Sequence, residues 1–276
     1  MRLRVDFGYD GTDFSGWAAQ PGRRTVEDEL AKAWATILRA DAPKLTVAGR
    51  TDAGVHARGS VCHLDVDEEL LAKLPGRSDR DPVDAAVTRL NGVLPDDVVV
   101  HSVSLARPGF DARFSASSRR YLYRIADADA FRDPLRRRDT VWIKSPLDLD
   151  AMDEAAAKLL GLNDFAAFCK KREGATTVRT LLRHDWARAA DGVLEGTVVA
   201  DAFCHSMVRA LVGAIVPVGE GRRPVDWPAQ VLTAAVRDPG VAVMPAHGLS
   251  LEEVAYPPDA ELAARAQQAR SVRTLD

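Results

Sequence analysis

The chain has 276 residues, of which 46% are hydrophobic and 28% charged. That composition allows one or two domains with a sizeable core and excludes collagen-like or extensively disordered chain. No run of about 18 apolar residues predicts a membrane span, and the opening MRLRVDFGYD lacks the apolar core of a secretory leader, so a cytoplasmic protein is expected. Three scattered cysteines, Cys62, Cys169 and Cys204, argue against a disulfide framework and read as small buried hydrophobes. The net charge of −3 conceals a polarised distribution. Leu105 to Lys144 holds ten Lys/Arg against five Asp/Glu, and Phe168 to Arg188 holds six against two, which leaves −12 for the rest. Such a chain can present a basic face to phosphate while staying acidic overall, and local field steers a charged ligand more than net charge does.

Leu3 to Asp10 alternates around Leu3, Val5 and Phe7 and predicts a strand. GYDGTDFSGW follows as a loop. Thr25 reads as an N-cap with Glu27, Asp28 and Glu29 in the first turn. Leu30, Ala33, Trp34 and Ile37 then predict an amphipathic helix over 26–39. A short strand over 45–48 ends in the loop GRTDAGVHARG. Further predictions are a strand over 60–66, a helix over 81–90 and a strand over 98–105. The order strand, helix, strand, strand, helix, strand matches the split βαβ, ferredoxin-like plan. A looser second copy follows: a strand over 118–125, a basic loop to Arg138, a helix over 149–160, paired strands over 178–188 and 194–201 turning at Asp191-Gly192, a long apolar helix over 206–218, a shorter one over 229–236, a strand over 249–254, and a frayed C-terminal helix. The expected class is α+β: two ferredoxin-like halves, 1–106 and 107–276, with a central antiparallel sheet and a cleft between them. The first half would carry the catalytic loop, and the second would complete the cleft and the nucleic-acid surface.

The most informative stretch is AGRTDAGVH, residues 48–56. A strand ends, two glycines permit a tight loop, and Arg50, Thr51, Asp52 and His56 are presented where a fold can hold reactive groups without disturbing its core. A cation two residues from Asp52 favours its ionised form, which suits a nucleophile or a general base. On spacing alone, a turn whose Asp caps backbone amides is the stronger reading.

AGRTDAGVH resembles the signature of the tRNA pseudouridine synthase A family. VDFGYDGTDFSGWAAQ, DARFSASSRRYLYRI, LLGLNDFAAFC and DAFCHSMVRALVGAIVPVG are similar to further blocks of that family, in its order and across most of the chain. The resemblance implies that Asp52 is the single catalytic carboxylate and that Tyr121 stacks on the target uracil. It implies that Arg50 helps extrude the base and that Arg209 is a basic partner of the carboxylate. It also implies a tRNA substrate modified at positions 38 to 40 of the anticodon stem-loop, a homodimer, and no cofactor, because isomerising uridine needs no redox change or group donor. Ala18 stands where the family usually has glutamine; Gln20 is retained.

Other residues carry weaker signals. His56, His63 and His205 match no usual zinc spacing, and no metal is expected. Phe203, Met207, Leu211 and Ile215 form a helical stripe that reads as core. Arg119, Tyr121 and Tyr123 share one strand face and Arg120 and Arg124 the other, a mixture of cations and aromatics that suits RNA or a solvated edge strand. Arg136 to Arg138 and Lys170, Lys171 and Arg172 are basic loops of the same ambiguity, and Arg119, Arg120, Lys170 and Lys171 are kept as candidate RNA contacts. Trp17 is expected in the core. Two alternatives remain: a non-catalytic RNA-binding module, which has no use for Asp52, and a nucleoside or glycoside hydrolase, which usually needs a second carboxyl group.

Overall fold

The computed structural model describes residues 1–170 and 176–271. In chain order its elements are β1 (Arg2–Tyr9), α1 (Val26–Leu38), β2 (Thr46–Val47), β3 (His56–Asp65), α2 (Glu68–Ala72), α3 (Pro82–Asn91), β4 (Val98–Leu105), β5 (Ser118–Ala126), β6 (Val141–Trp142), α4 (Leu149–Ala157), β7 (Gly161–Asp164), β8 (Val178–Arg188), β9 (Leu194–Ala200), α5 (Met207–Gly219), α6 (Trp227–Ala234), β10 (Leu249–Ala255) and α7 (Leu262–Ala269). The class is mixed α+β with mostly antiparallel sheet. Among the described residues, no helix is long and apolar enough to cross a membrane.

The chain forms two compact units, Met1–Ser117 with Leu251–Ser271, and Ser118–Ser250. The division therefore falls later than residue 106, and the last strand and helix return to the first unit. The physical reason lies in residues 107–117. Arg2 donates to the Phe110 carbonyl at 2.9 Å, His63 Nδ1 accepts the Ala112 amide at 3.0 Å, and Tyr256 Oη donates to the Ala112 carbonyl at 2.8 Å. That segment is bound to β1 and β3 and cannot leave with the second unit.

In the first unit the strand order is β4-β1-β3-β10, with β2 on β3. Val5 pairs antiparallel with Cys62 on one side and Val103 on the other. The alternation seen in the sequence places Leu3, Val5 and Phe7 wholly inside, and the stripe of α1 buries Leu30 and Trp34 as completely. Thr25 stands at the N-cap of α1, but its side chain makes no capping bond. The loop preceding the helix caps it instead. The Val26 amide donates to the Gly16 carbonyl at 3.3 Å, and the Glu27 amide to the Trp17 carbonyl at 3.0 Å. Two of the helix's orphan N–H groups are thus satisfied by backbone 10 residues upstream, a tertiary contact that residue type at the cap could not disclose.

In the second unit the order is β5-β9-β8-β7, antiparallel throughout, with β6 parallel to β5. Leu211 and Ile215 of α5 and Met152 of α4 are fully buried. At Gly219 a Cβ would lie 2.6 Å from Met152 Sδ, so the Met152 side chain of α4 packs directly on the backbone of α5. The β8–β9 turn uses Gly192 at φ +83, as the Asp-Gly signal predicts.

Several elements differ from expectation. β3 starts at His56 rather than near residue 60, because Gly59 allows the Glu252 carbonyl of β10 to approach within 2.2 Å of where a Cβ would stand. α2, β6 and β7 have five, two and four residues, too few to repeat a hydrophobic pattern. α6 begins two residues early, with Pro228 in its first turn, where a missing N–H is harmless. Cys62 is the buried free thiol expected, but Cys169 and Cys204 form a disulfide pair with Cα atoms 5.7 Å apart. Both expectations rested on linear spacing, and the pairing comes from the fold, which brings the turn after residue 168 beside the start of α5.

Candidate active site

The loop from Gly49 to Val55 in the first unit is clasped by the loop from Asp10 to Trp17. Tyr9 Oη and Thr51 Oγ1 share a hydrogen bond of 2.7 Å, and the Trp17 amide donates to the Thr51 carbonyl at 3.2 Å. The Gly54 amide donates to the Phe14 carbonyl at 3.3 Å, and the Gly11 amide to His56 Nδ1 at 3.0 Å. Asp52 therefore sits at the centre of a short segment fixed on both sides. Its own carbonyl accepts the Val55 amide at 3.2 Å, closing a turn in which Gly54 has φ +77. Two glycines make the clasp possible. A Cβ on Gly11 would be 2.0 Å from the Val55 carbonyl oxygen, and one on Gly16, at φ +95, would be 3.0 Å from the Thr51 carbonyl oxygen.

The clasping loop is itself anchored. Trp17 is buried, as expected, with its ring 5.6 Å from Phe7. The Arg24 guanidinium stacks 4.1 Å from the Phe14 ring and is held by Asp97 at 2.7 and 2.8 Å. Asp52 is half-buried and Arg50 exposed. A carboxylate on a rigid, partly desolvated turn can act as a nucleophile or a base with little reorganisation.

The second unit holds Tyr121 and Arg209. Tyr121 lies on β5 opposite Val198, buried, with its ring edge-on to Phe203 at 5.1 Å. Phe203, expected in the core stripe of α5, is instead half-buried ahead of that helix and supports Tyr121. Arg209 is half-buried in the first turn of α5. Its Nε donates to the Met244 carbonyl at 2.6 Å, while its own carbonyl accepts the Met244 amide at 3.2 Å. This double tie fixes the guanidinium against the 241–245 strap. One turn on, a Cβ at Gly213 would lie 1.7 Å from the Ala242 carbonyl oxygen, so the strap packs directly on helix backbone.

The cations of β5 are not a solvent-facing stripe. Arg119 is buried and donates to the Asp201 carbonyl at 2.6 Å. Arg124 is buried between Asp191, Glu195 and Thr140. The alternation of faces is as read; the face bearing Arg119, Tyr121 and Tyr123 is an interior one. Arg120 is half-buried and Lys170 exposed, whereas Lys171 and Arg172 lie outside the described residues.

His56 and His63 are structural: each accepts a backbone amide through Nδ1, and burial lowers the His63 pKa. Among the described residues, no group of three or more His, Cys, Asp or Glu could hold a metal. Sequence reading missed a cavity of about 360 Å³ in the second unit that Lys170, His205, Arg209 and Arg237 line. Arg237 stands alone in the sequence, and nothing in its neighbourhood signalled a role.

Comparison with known proteins agrees with the resemblance. Residues 155–257 match a family model described as tRNA pseudouridine synthase. The chain is 56% identical to the tRNA pseudouridine synthase A of Frankia casuarinae over 99% of its length and 96% of the relative's. It is 57% identical to that of Streptomyces griseus over 100% and 95%, and 47% identical to that of Mycobacterium leprae over 99% and 96%. Identity of this level along the whole length, with AGRTDAGVH on a loop that hydrogen bonds fix on both sides, makes this chain an enzyme of the tRNA pseudouridine synthase A family.

Proposed function

We propose that the enzyme converts uridine to pseudouridine at positions 38 to 40 of the tRNA anticodon stem-loop, with Asp52 as its catalytic carboxylate. The observation that carries this reading is the clasp around residues 49–55. Four hydrogen bonds and two close glycine approaches fix a half-buried aspartate whose neighbours match the family signature. In the reaction the C1′–N1 bond breaks, the uracil turns, C5 bonds to C1′, and the C5 proton leaves to water while N1 gains one. A single carboxylate can start this by attacking the ring or the sugar, or by taking a sugar proton.

The target base must leave its stack, at a cost of a few kcal/mol. Tyr121, braced by Phe203, is assigned as the platform that returns about 1–3 kcal/mol by stacking. Arg50, exposed beside Asp52, is assigned to extrusion of the base, and Arg209 to holding the carboxylate ionised. Arg120, Lys170 and Lys171 are assigned to the RNA backbone, and Arg119 to the fold. Each half is read as ferredoxin-like. The β4-β1-β3 order with β2 on β3 supports this for the first half. A homodimer sharing one tRNA is proposed from the family resemblance.

Transcript tritiated at uracil C5 tests the assignment. Wild-type enzyme releases tritium to water without added metal or cofactor. Asp52→Ala and Asp52→Asn bind the tRNA and release none. Release by Asp52→Asn at the wild-type rate refutes the role of the carboxylate.

A further inference from the structure

The cavity in the second unit carries a charge pattern of which the catalytic assignments use Arg209 alone. Among the eleven described residues that line it, four are basic (Lys170, His205, Arg209 and Arg237) and none is acidic. At about 360 Å³ it is near the lower end of small-ligand pockets, large enough for a phosphodiester with part of its sugar. Basic groups come to it from three separate stretches of chain, so the pattern is a product of the fold and not of a local charge run.

Each stretch is held in place. The Lys170 amide donates to the His205 carbonyl at 3.1 Å, and the Cys169–Cys204 pair ties the same two turns together. Arg209 is fixed through Nε to Met244. Arg237 follows α6, whose C-cap residue Ala235 turns the chain at φ +52. The next residue, Asp238, accepts the Gly240 amide at 2.7 Å, so its carboxylate is engaged in its own turn and does not line the cavity.

We propose that this cavity is a subsite for one backbone phosphate of the RNA substrate, with Arg237, Lys170 and His205 as its donors. The inference rests on the reading of the enzyme as acting on tRNA. It adds Arg237 and His205 to the binding surface; Arg237 lies in no motif and in no charge run. A phosphate there would be positioned by the turns around α5, the helix that carries Arg209, and so would register the strand against the reacting centre without reading its sequence.

The test is steady-state tritium release as a function of tRNA and salt concentration, using Arg237→Gln and Arg237→Lys. Arg237 is exposed, so both variants fold. Wild-type turnover is measured first, and its absence condemns the enzymatic reading, not the subsite. Given turnover, Arg237→Gln raises KM roughly 10-fold, as expected for the loss of one charge-assisted contact. The slope of log KM against log salt flattens by about 0.7–0.9, kcat stays within about 2-fold of wild type, and Arg237→Lys restores most of the affinity. An unchanged KM and salt slope in Arg237→Gln overturns the proposal. So does a variant that loses inhibition by inorganic phosphate while keeping its tRNA KM, because the cavity would then serve a free anion.

Discussion

Gly11→Ala is the sharpest probe of how this fold holds its aspartate. The added Cβ would stand 2.0 Å from the Val55 carbonyl oxygen and 2.5 Å from its carbon. Carbon–oxygen contacts under 3.0 Å are essentially never seen, so the two loops must separate by about 1 Å. The obstacle is backbone, so no rotamer change relieves it. Overpacking of this kind costs about 1–3 kcal/mol of stability. The catalytic cost is larger, because separation stretches the 3.0 Å bond from the Gly11 amide to His56 and loosens the turn that ends at Val55. A 1 Å misplacement of a reacting group costs about 10²-fold in rate. Gly22→Ala is the matched control. Gly22 belongs to the same connection between β1 and α1 and has φ +69, but nothing lies within 4 Å of its Cβ position. Its cost is limited to left-handed strain, about 1 kcal/mol. Urea unfolding and tritium release measured on both proteins decide the matter. Gly11→Ala should lose roughly 100-fold in kcat with tRNA binding retained, and Gly22→Ala should keep wild-type kcat. A Gly11→Ala enzyme with normal kcat would show that the clasp does not position Asp52.

Arg119→Ala should lower stability by about 1–3 kcal/mol through loss of a buried charge-assisted bond to the Asp201 carbonyl, and leave the salt dependence of tRNA binding unchanged; a flattened salt slope would return Arg119 to the RNA surface. His184 is buried on β8 with neither ring nitrogen hydrogen-bonded, and burial lowers its pKa to about 4 from 6.5. The unfolded chain binds this proton first, so the stability conferred by neutral His184 is complete above pH 6.5 and is lost as pH falls towards 4, a change of roughly 3 kcal/mol. Urea titrations at pH 7, 5.5 and 4.5 should show the decline in wild type and a shallower one in His184→Leu. Thiol titration of the oxidised protein in denaturant should find one free cysteine, Cys62, and three after reduction; three without reductant would refute the Cys169–Cys204 pair.

What the sequence discloses about this fold follows from how local the cause is. β1, α1 and β4 carry full hydrophobic periods, and their limits agree with the structure to within about two residues. β7, four residues long, owes its existence to pairing with β8, and nothing in Gly161–Asp164 alone demands it. Thr25 shows a subtler failure. It is the right residue type at the right position, yet the N–H groups it would satisfy are taken by the Gly16 and Trp17 carbonyls, so a tertiary contact displaces a local preference. Arg119 repeats the lesson with charge. Period-two alternation places it correctly on the face of Tyr121, but alternation cannot tell which face is wet.

The same distinction explains why half of the candidate site is legible and half is not. Asp52 stands out because a turn needs its glycines close in sequence, and Gly49 and Gly54 flank the aspartate within six residues. The residues that make that turn rigid are remote and chemically bland: Gly11 and Gly16 matter for the side chain they lack, and Tyr9 for one hydroxyl bond to Thr51. Arg237 is the extreme case, an isolated surface arginine whose partners in the cavity lie 28 to 67 residues earlier in the chain. A motif marks where the chemistry is placed, whereas stiffness and phosphate affinity are distributed over contacts that only folding assembles. Substitutions at Gly11 and Arg237 should therefore divide cleanly, the first reducing kcat and the second raising KM. An enzyme in which both changed the same constant would have one coupled site and not a rigid turn and a separate anchoring pocket.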